Sequence, residues 1–250
     1  MSNRKKQCVL FDWDLTLTRV IGDVSPEERL TALFQKEGLP YTLEEIGAAI
    51  RTYREHVQNG HLKRPDKQQT QRQITRFYRD ILSQLDYFEQ DWEWLNHLYD
   101  AYSFLPHSLY DSTRPLLKWL KKQAVPLGII TNHSREIRPI IEETLGEFIQ
   151  PEHIIISQEE GVHKPAKTIF KIAAARMGCP REQCVFIGND LYVDAIAAVE
   201  AGQYGLGLWI DREVSFNDVP VLPENVHRIT TLMEVLDYTA PIIARAGSPV

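Results

Sequence analysis

The sequence predicts an α/β fold, in which helices cover both faces of a parallel sheet and one all-helical segment is inserted. Three observations support this prediction. Short apolar runs rich in branched residues recur along the chain, helix-length amphipathic segments separate the later runs, and residues from about 20 to 108 break this alternation. Strands that alternate with helices are joined by crossover connections, which produce a parallel sheet.

Five apolar runs are predicted as the strands of this sheet. Helix signals lie between the later runs, since Pro165 suits the first turn of one helix and Gly178 its end. The next helix ends in the same way at Gly202. Pro139 is tolerable only if the helix of residues 138–145 begins close to it. The predicted strands are CVLF (8–11), VPLGII (125–130), HIIIS (153–157), QCVFIG (183–188) and GLGLWI (205–210).

The inserted segment carries helix signals only. Two capping boxes, each a hydroxyl residue followed by Glu three positions later, begin helices, and glycine turns end them. Two further segments place large apolar residues at helical intervals. In chain order these signals are Ser25-Pro26-Glu27-Glu28, Gly38, Thr42 to Glu45, Asn59-Gly60, Asp66 to Leu85 and Gln90 to Ser103. We therefore predict a core domain of residues 1–19 and 109–250, with a helical domain of residues 20–108 inserted.

The composition limits the expected partners. The chain has 250 residues, a net charge of −6 and a pI of about 5.8, so no overall field attracts nucleic acid or anionic membranes. Its three cysteines suit neither a disulfide framework nor a zinc site, and Cys8 and Cys184, which lie beside apolar runs, are predicted to be buried structural thiols. With no signal peptide and no apolar run near the ~20 residues of a membrane span, we expect a cytoplasmic chain.

Polar residues follow four of the predicted strands at their carboxyl ends, where sheets of this kind bind ligands. These residues are Asp12 and Asp14 after the first run, Thr131 and Asn132 after the second, Lys164 in the loop after the third, and Asn189, Asp190 and Asp194 after the fourth.

Asp12 and Asp14 are predicted to share one pocket, because residues i and i+2 of an extended segment point the same way. Two close carboxylates repel each other, and one resists ionisation unless a cation lies between them. The acidic residues of the fourth loop strengthen the case for a hard cation. Mg²⁺ prefers oxygen ligands and accepts a substrate phosphate among them, whereas no His/Cys cluster in the sequence indicates zinc.

From about residue 7 to residue 210, the chain resembles the haloacid dehalogenase (HAD) superfamily, and the residues at its strand ends carry this resemblance. The matching features are DxDxT after a strand, a Thr that ends the next strand, Lys-Pro opening a helix, and Gly-Asn-Asp…Asp in the fourth loop. The resemblance implies a Rossmann-like three-layer core with the insertion as a C1-type cap of subfamily I. It also implies a Mg²⁺-dependent phosphatase for a small phosphorylated metabolite, since a cap restricts access by macromolecules.

The resemblance implies a role for each matching residue. Asp12 is expected to attack phosphorus and form an aspartyl-phosphate, and Asp14 to act as general acid and then as general base. The Asp12 carboxylate and the Asp14 backbone carbonyl are expected to bind Mg²⁺. Thr131 and the Asn132 backbone N–H are expected to hold the phosphoryl oxygens. Lys164 is expected to neutralise charge on the phosphoryl group and on Asp12.

The fourth loop departs from the commonest family pattern, because Asn189 stands where an Asp usually stands. Asp190 follows one position later and is the better charge match for Mg²⁺, so Asp190 is predicted as the direct ligand, with Asn189 as the alternative. Asp194 is expected to act through water or by orienting the loop. Its alternative is a first-turn acid that the helix dipole favours.

Specificity and rival functions stay open. His133 and His163 flank the predicted site as candidate substrate contacts. One or two basic residues of the inserted segment, with His61 or Tyr53, are candidates for binding an anionic leaving group, although a solvated helix face is the simpler interpretation. These basic residues are Arg51, Arg54, Lys63, Arg64, Lys67, Arg72, Arg76 and Arg79.

The rival functions are a phosphomutase with the same nucleophile, a dehalogenase, a phosphonate hydrolase and a non-catalytic phospho-ligand binder that keeps the fold.

Overall fold

The computed structural model describes residues 7–22, 24–62, 70–88, 91–212 and 220–239. Within these ranges the strands, numbered in chain order, are β1 (Cys8–Phe11), β2 (Thr18–Val20), β3 (His107–Leu109), β4 (Leu127–Thr131), β5 (Ile154–Ile156), β6 (Cys184–Gly188), β7 (Leu206–Ile210) and β8 (Val226–Ile229). Six of them form one parallel sheet in the order β5-β4-β1-β6-β7-β8, and β2 pairs with β3 in a separate antiparallel ribbon.

The sheet confirms the five predicted strands and adds β8 at one edge. In β8 the end residues are buried, whereas His227 and Arg228 between them are only half-buried. A short edge strand of this kind carries no apolar run, so the sequence gives no strand signal there. After this strand, residues 232–239 are helical.

The β2–β3 ribbon was not predicted and joins the two chain segments that enter and leave the inserted segment. Each strand has three residues, which is too short for a period-2 pattern to be recognised. Further backbone hydrogen bonds extend the ribbon, from Ile21 N–H to the Pro106 carbonyl at 2.8 Å and from Tyr110 N–H to the Leu17 carbonyl at 3.1 Å. The ribbon therefore fixes His107 close to the end of β1.

The helices follow the predicted order. Ser25 and Thr42 form the predicted capping boxes with Glu28 and Glu45. Residues 66–69 of the third predicted helix lie outside the described residues. The helices are α1 (Pro26–Lys36), α2 (Leu43–Gln58), α3 (Gln71–Gln84), α4 (Trp92–Ala101), α5 (Thr113–Lys122), α6 (Arg138–Leu145), α7 (Ser157–Glu160), α8 (Lys167–Arg176) and α9 (Ala197–Glu200), with a π-helical turn at Leu191–Ile196 before α9. Short 3₁₀ turns occupy Tyr102–Phe104, Arg135–Ile137, Pro151–His153, Arg181–Gln183 and Leu232–Glu234.

One helix start was predicted wrongly. Pro165 does not lie in the first turn of α8, which begins at Lys167 after the N-cap residue Ala166. The reason is tertiary, because Asn132 holds the backbone of the preceding residue from both sides. The Lys164 N–H donates to Asn132 Oδ1 at 2.8 Å, and Asn132 Nδ2 donates to the Lys164 carbonyl at 2.9 Å. This clamp keeps the segment in the loop that carries Lys164 to the sheet edge.

Buried apolar side chains form separate clusters. Helices α1 to α4 pack around their own cluster, which includes Phe34, Ile46, Ile81 and Leu98. Two other clusters cover the faces of the sheet, and the three cysteines lie in one of them. The separate helical cluster supports the predicted division at residues 19/20 and 108/109, which stays a prediction.

Cys8 and Cys184 are buried free thiols, as predicted, and Cys179 is a third buried free thiol. Their sulfur atoms lie within 4.8 Å of one another, a proximity that their spacing in the sequence does not reveal. As for membranes, none of the helices in the described ranges has the length and apolar character that a bilayer span requires.

Candidate active site

Asp12 lies at the carboxyl end of β1 and is held there by both backbone and side chain. Its N–H donates to the Ile187 carbonyl of β6 at 2.8 Å. The hydroxyl of Thr16, which is fully buried, donates to Asp12 Oδ2 at 3.2 Å. The Thr of DxDxT thus fixes the first carboxylate. Trp13, between the two acids, is fully buried and anchors the turn that presents them.

Lys164 joins two strand ends through a buried ion-pair network. Its Nζ lies 2.7 Å from Asp12 Oδ1 and 2.7 Å from Asp194 Oδ1, and all three side chains are almost fully buried. Burial raises the pKa of Asp12 from 3.8 to about 7, against the opposing effect of the Lys164 charge. Burial acts to lower the pKa of Lys164, but the two carboxylates outweigh it and raise that pKa to about 12.

The contribution of Asp12 to the stability of the metal-free protein is expected to fall as the pH rises from about 4 to about 7. The folded state holds a proton on Asp12 that the unfolded chain has already released, because its pKa is raised from 3.8 to about 7 on folding. Burial also raises the pKa of Asp194, so its contribution has the same sign. Burial lowers the pKa of His133, and that effect has the opposite sign. The test is therefore the difference in melting temperature between wild type and Asp12→Asn in EDTA from about pH 5 to about pH 8. A difference that stays flat or grows in favour of wild type as the pH rises would contradict it.

Asp194 reaches this network because Gly188 has no side chain. A Cβ at Gly188 would lie 2.3 Å from Asp194 Oδ2. The same Oδ2 accepts from the Asp190 N–H at 3.0 Å. This placement, inside the buried network and not on a solvated helix face, supports the predicted role in orienting the loop.

Asn189 and Asp190 point in different directions. Asp190 Oδ1 accepts from the N–H groups of Tyr192 and Val193, both at 2.8 Å, and so caps the π-helical turn. One terminal atom of the Asn189 amide lies 3.3 Å from Asp12 Oδ2 and 3.1 Å from the Asp14 carbonyl oxygen. The geometry therefore favours Asn189 over Asp190 as the residue that faces Asp12. The sequence had favoured Asp190 as the direct Mg²⁺ ligand, with Asn189 as the alternative.

This arrangement fits a hard cation. When the Asn189 amide presents nitrogen, that nitrogen donates to both oxygens. When it presents oxygen, three oxygens meet in one place, and oxygen atoms in such a cluster repel unless a cation lies between them. A carboxylate, a backbone carbonyl and an amide oxygen are ligands that suit Mg²⁺.

Thr131 and Asn132 end β4 beside this network. Thr131 is almost fully buried, and the Asn132 side chain is engaged in the clamp on Lys164. The structure therefore brings the second and third strand ends together through Asn132, a function of its side chain that the sequence did not reveal.

Two imidazoles face Asp14, and sequence reasoning missed one of them. His107 Nε2 lies 3.2 Å from Asp14 Oδ1, and His133 Nε2 lies 3.5 Å from Asp14 Oδ2. Burial acts to raise the pKa of Asp14, but the hydrogen bond from His107 and the nearby His133 outweigh it and hold that pKa below its usual value. His107 carries no sequence signal because it lies on the unpredicted strand β3. The other candidate, His163, lines a different depression.

A cavity of about 260 Å³ opens above Asp14 between the inserted helices and the sheet edge. Its floor is polar, whereas its walls are mostly aromatic and aliphatic. Arg29 of α1 lines it, and no member of the predicted basic stretch is among its lining residues; Lys63, Arg64 and Lys67 lie outside the described residues. The lining residues are Asp14, Pro26, Arg29, Leu30, Leu33, Ile74, Phe77, Tyr78, Tyr99, Tyr102, Asn132 and His133.

The fold and the site define a Rossmann-like α/β protein with an acidic strand-end centre. The family model of haloacid dehalogenase-like hydrolases matches residues 6–202, and the chain belongs to this family. This confirms the HAD resemblance, whereas the C1 type of the inserted segment stays a prediction.

The chain is similar to relatives with different named activities. It is 33% identical over 132 residues to a glyceraldehyde 3-phosphate phosphatase of Pyrococcus furiosus, covering 50% of this chain and 52% of that protein. It is 30% identical over 134 residues to an (S)-2-haloacid dehalogenase of Pseudomonas putida, covering 52% and 56%. The chain thus spans about half the length of the curated relatives it matches.

Among solved structures, a predicted phosphoglycolate phosphatase from Haemophilus somnus 129pt superposes with a TM-score of 0.66 at 17% identity, covering 96% of this chain and all of that one. A HAD phosphatase from Thermococcus onnurineus superposes with a TM-score of 0.59 at 23% identity, covering 93% and 97%. At these identities the likeness confirms the α/β fold alone.

Proposed function

We propose that the chain is a Mg²⁺-dependent phosphatase that hydrolyses a small phosphomonoester through an aspartyl-phosphate on Asp12. The observation that carries this proposal is the environment of the Asp12 carboxylate. One oxygen is neutralised by the buried ammonium of Lys164, and the other contacts the Asn189 amide, which also contacts the Asp14 carbonyl. Phosphatases among the relatives support the reaction type.

Each residue of the network has a task in this proposal. Asp12 Oδ2, the Asp14 carbonyl and the Asn189 amide oxygen would hold Mg²⁺, which would supply positive charge against a phosphoryl oxygen. Asp12 attacks phosphorus. Asp14, whose pKa is held low in the free protein, must take up a proton before it gives one to the leaving oxygen, and it later takes a proton from water. Lys164 holds Asp12 in place and opposes the phosphoryl charge. Asp194 keeps the Lys164 ammonium in position.

Thr131 and the Asn132 N–H complete the site as donors to the phosphoryl oxygens in the proposal. Helices α1 to α4 serve as the cap. They close the space above Asp14 to a cavity of about 260 Å³, which suits a small metabolite better than a macromolecule. A cytoplasmic location and the absence of nucleic-acid or membrane partners stay predictions.

Release of phosphate tests the proposal. The purified chain is incubated with an aryl phosphate and a panel of small phosphomonoesters, with Mg²⁺ in one series and EDTA in the other. We expect release with Mg²⁺ and loss of release with EDTA. If well-folded protein releases no phosphate from any ester, the proposal is wrong, and the phosphomutase or the non-catalytic binder takes its place. Chloride release from a 2-haloacid would instead favour the dehalogenase.

Replacement of Asn189 is expected to weaken Mg²⁺ binding far more than replacement of Asp190. Asn189→Ala removes the amide that faces Asp12 and the Asp14 carbonyl, so the Mg²⁺ dissociation constant should rise ~10-fold or more. Asp190→Asn is the matched control, because Asn also caps a helix start and that side chain contacts the π-helical turn. Titration calorimetry measures both. A larger loss of Mg²⁺ affinity in Asp190→Asn than in Asn189→Ala would instead support Asp190 as the direct Mg²⁺ ligand.

A further inference from the structure

All three cysteine thiols of the chain meet at one point beneath the sheet, although the sequence separates the first from the other two. Cys8 Sγ lies 3.3 Å from Cys184 Sγ, and Cys179 Sγ lies within 4.8 Å of both. No fourth His, Cys or carboxylate within the described ranges joins this group. The three residues form a compact set of sulfur atoms, which we call the thiol cluster.

The backbone fixes each member of the thiol cluster. Cys8 of β1 and Cys184 of β6 are partners in the parallel pairing, so their side chains stand on one face of the sheet about 4.8 Å apart at the backbone. The Cys179 N–H donates to the Ala174 carbonyl at the end of α8 at 3.1 Å. Gly178 turns the chain there with a φ of 57°. The sulfur atoms are therefore held in place before any ligand arrives.

The spacing of the three sulfur atoms suits a single metal ion. With one separation of 3.3 Å and the others below 4.8 Å, a point equidistant from all three lies about 2.6 Å or less from each. The zinc–thiolate bond is ~2.3 Å long, so a small shift of the side chains brings each sulfur to bonding distance. Thiolate ligands select soft or borderline cations, whereas Mg²⁺ prefers oxygen.

An ion can reach the thiol cluster through Cys179. This residue is 7% exposed, whereas Cys8 and Cys184 have no exposed surface. Cys179 lines a surface depression together with Lys171, Arg181 and Glu182. Three thiolates around a divalent ion carry one net negative charge, and the charged side chains that line the depression carry one net positive charge. The surroundings therefore offset the charge of an occupied site.

The thiol cluster is remote from the candidate active site. Cys8 is the first residue of β1, and Asp12 follows the last residue of that strand, so the two lie ~13 Å apart along the strand. The other described group of potential ligand atoms, formed by Asp14, His107 and His133, belongs to the active site. An inference about the thiol cluster thus stands apart from the proposed phosphatase.

We propose that Cys8, Cys179 and Cys184 form a second metal site, which binds one thiophilic divalent cation of the zinc and cadmium class as three thiolates. The thiols release their protons to solvent as the ion binds, and solvent takes the fourth position. A bound ion joins β1, β6 and the turn after α8, and it stabilises the fold because the unfolded chain does not hold the three sulfurs together. The simpler alternative is that the cysteines only fill space in the core.

Cadmium titration of the whole chain tests this proposal. The protein is reduced, freed of reductant and kept in excess Mg²⁺, and ultraviolet absorption is followed as Cd²⁺ is added. We expect a sulfur-to-cadmium charge-transfer band that saturates at one ion per chain, and Zn²⁺ should remove it by competition. Oxygen and nitrogen ligands at the active site give no such band. Absence of the band in folded wild-type protein would overturn the proposal.

Cys179→Ala is the informative variant, because this residue lies nearest to solvent and its loss disturbs the sheet least. The Cd²⁺ dissociation constant should rise ~10²-fold or more, and the increase in melting temperature that Zn²⁺ produces should be lost. Met177→Leu is the matched control, since it changes a sulfur-containing residue of the same apolar cluster with little change in volume and keeps all three thiols. Unchanged cadmium affinity in folded Cys179→Ala would overturn the proposal.

A further measurement needs no variant. X-ray absorption at the zinc edge of wild-type protein loaded with one Zn²⁺ in excess Mg²⁺ should show about three sulfur neighbours at ~2.3 Å. A shell of oxygen and nitrogen alone would overturn the proposal and would place the zinc elsewhere. Phosphate release with Mg²⁺ is measured on the same samples, and its failure would overturn the proposed phosphatase while leaving the thiolate site intact.

Discussion

Asp12→Asn is expected to lower kcat by about 10⁴-fold or more while leaving the fold intact. The amide cannot attack phosphorus as a carboxylate does, and no other described carboxylate lies at the same point between Lys164 and Asn189. The fold should persist because the amide oxygen can still accept from Lys164 and because Lys164 keeps Asp194 as an ion-pair partner.

Phosphate release and near-ultraviolet circular dichroism measure the two parts of this prediction. The matched control is Asp237→Asn, the same substitution at an exposed position, which should keep wild-type activity. Intact-mass analysis of rapidly quenched wild-type protein should show one added phosphoryl group, absent from Asp12→Asn. Turnover within ~10-fold of wild type in the variant would show that Asp12 is not the nucleophile.

Lys164→Met is expected to have the largest effect on stability. Lys164 pairs with Asp12 and Asp194 at 2.7 Å each, and all three are almost fully buried. Its removal leaves two uncompensated carboxylates in the interior, which costs about 3–5 kcal/mol. Activity should also fall ~10²- to 10³-fold, because a charge that opposes the developing phosphoryl charge is lost.

The double variant Lys164→Met/Asp194→Asn separates the charge effect from a simple loss of packing. It removes one of the two stranded carboxylates and should therefore recover part of the free energy of unfolding that Lys164→Met loses. Chemical denaturation measures both variants, with Lys167→Met, at the exposed first residue of α8, as the control. If the double variant is less stable than Lys164→Met alone, the ion-pair explanation is wrong.

The parts of the fold that could be predicted are those with a local cause. The strands of the sheet centre are short apolar runs, since a strand buried on both faces must be apolar at every position. The helices α1 and α2 begin at capping boxes that involve only neighbouring residues. The strand-end acids could be placed because parallel strands end at the same edge of the sheet.

The parts that were missed have non-local causes. The ribbon of β2 and β3 pairs residues far apart in the chain, and neither three-residue strand shows a period by itself. His107 therefore had no reason to be placed beside Asp14. Pro165 was assigned to a helix from its residue type, but the clamp from Asn132 keeps it in the loop.

The sequence by itself determined which chemical groups stand at the strand ends: Asp12 and Asp14 after β1, Thr131 after β4 and Lys164 before α8. Residue type and distance from a buried strand suffice for this. Only the tertiary structure decided which partner each of the neighbouring polar side chains contacts. Asp190 caps a helical turn, whereas Asn189 faces Asp12, and the Ser134 N–H occupies Nδ1 of His133, so that Nε2 is the ring nitrogen beside Asp14. Each side chain had several hydrogen-bond partners within reach, and the packing of distant segments selected among them.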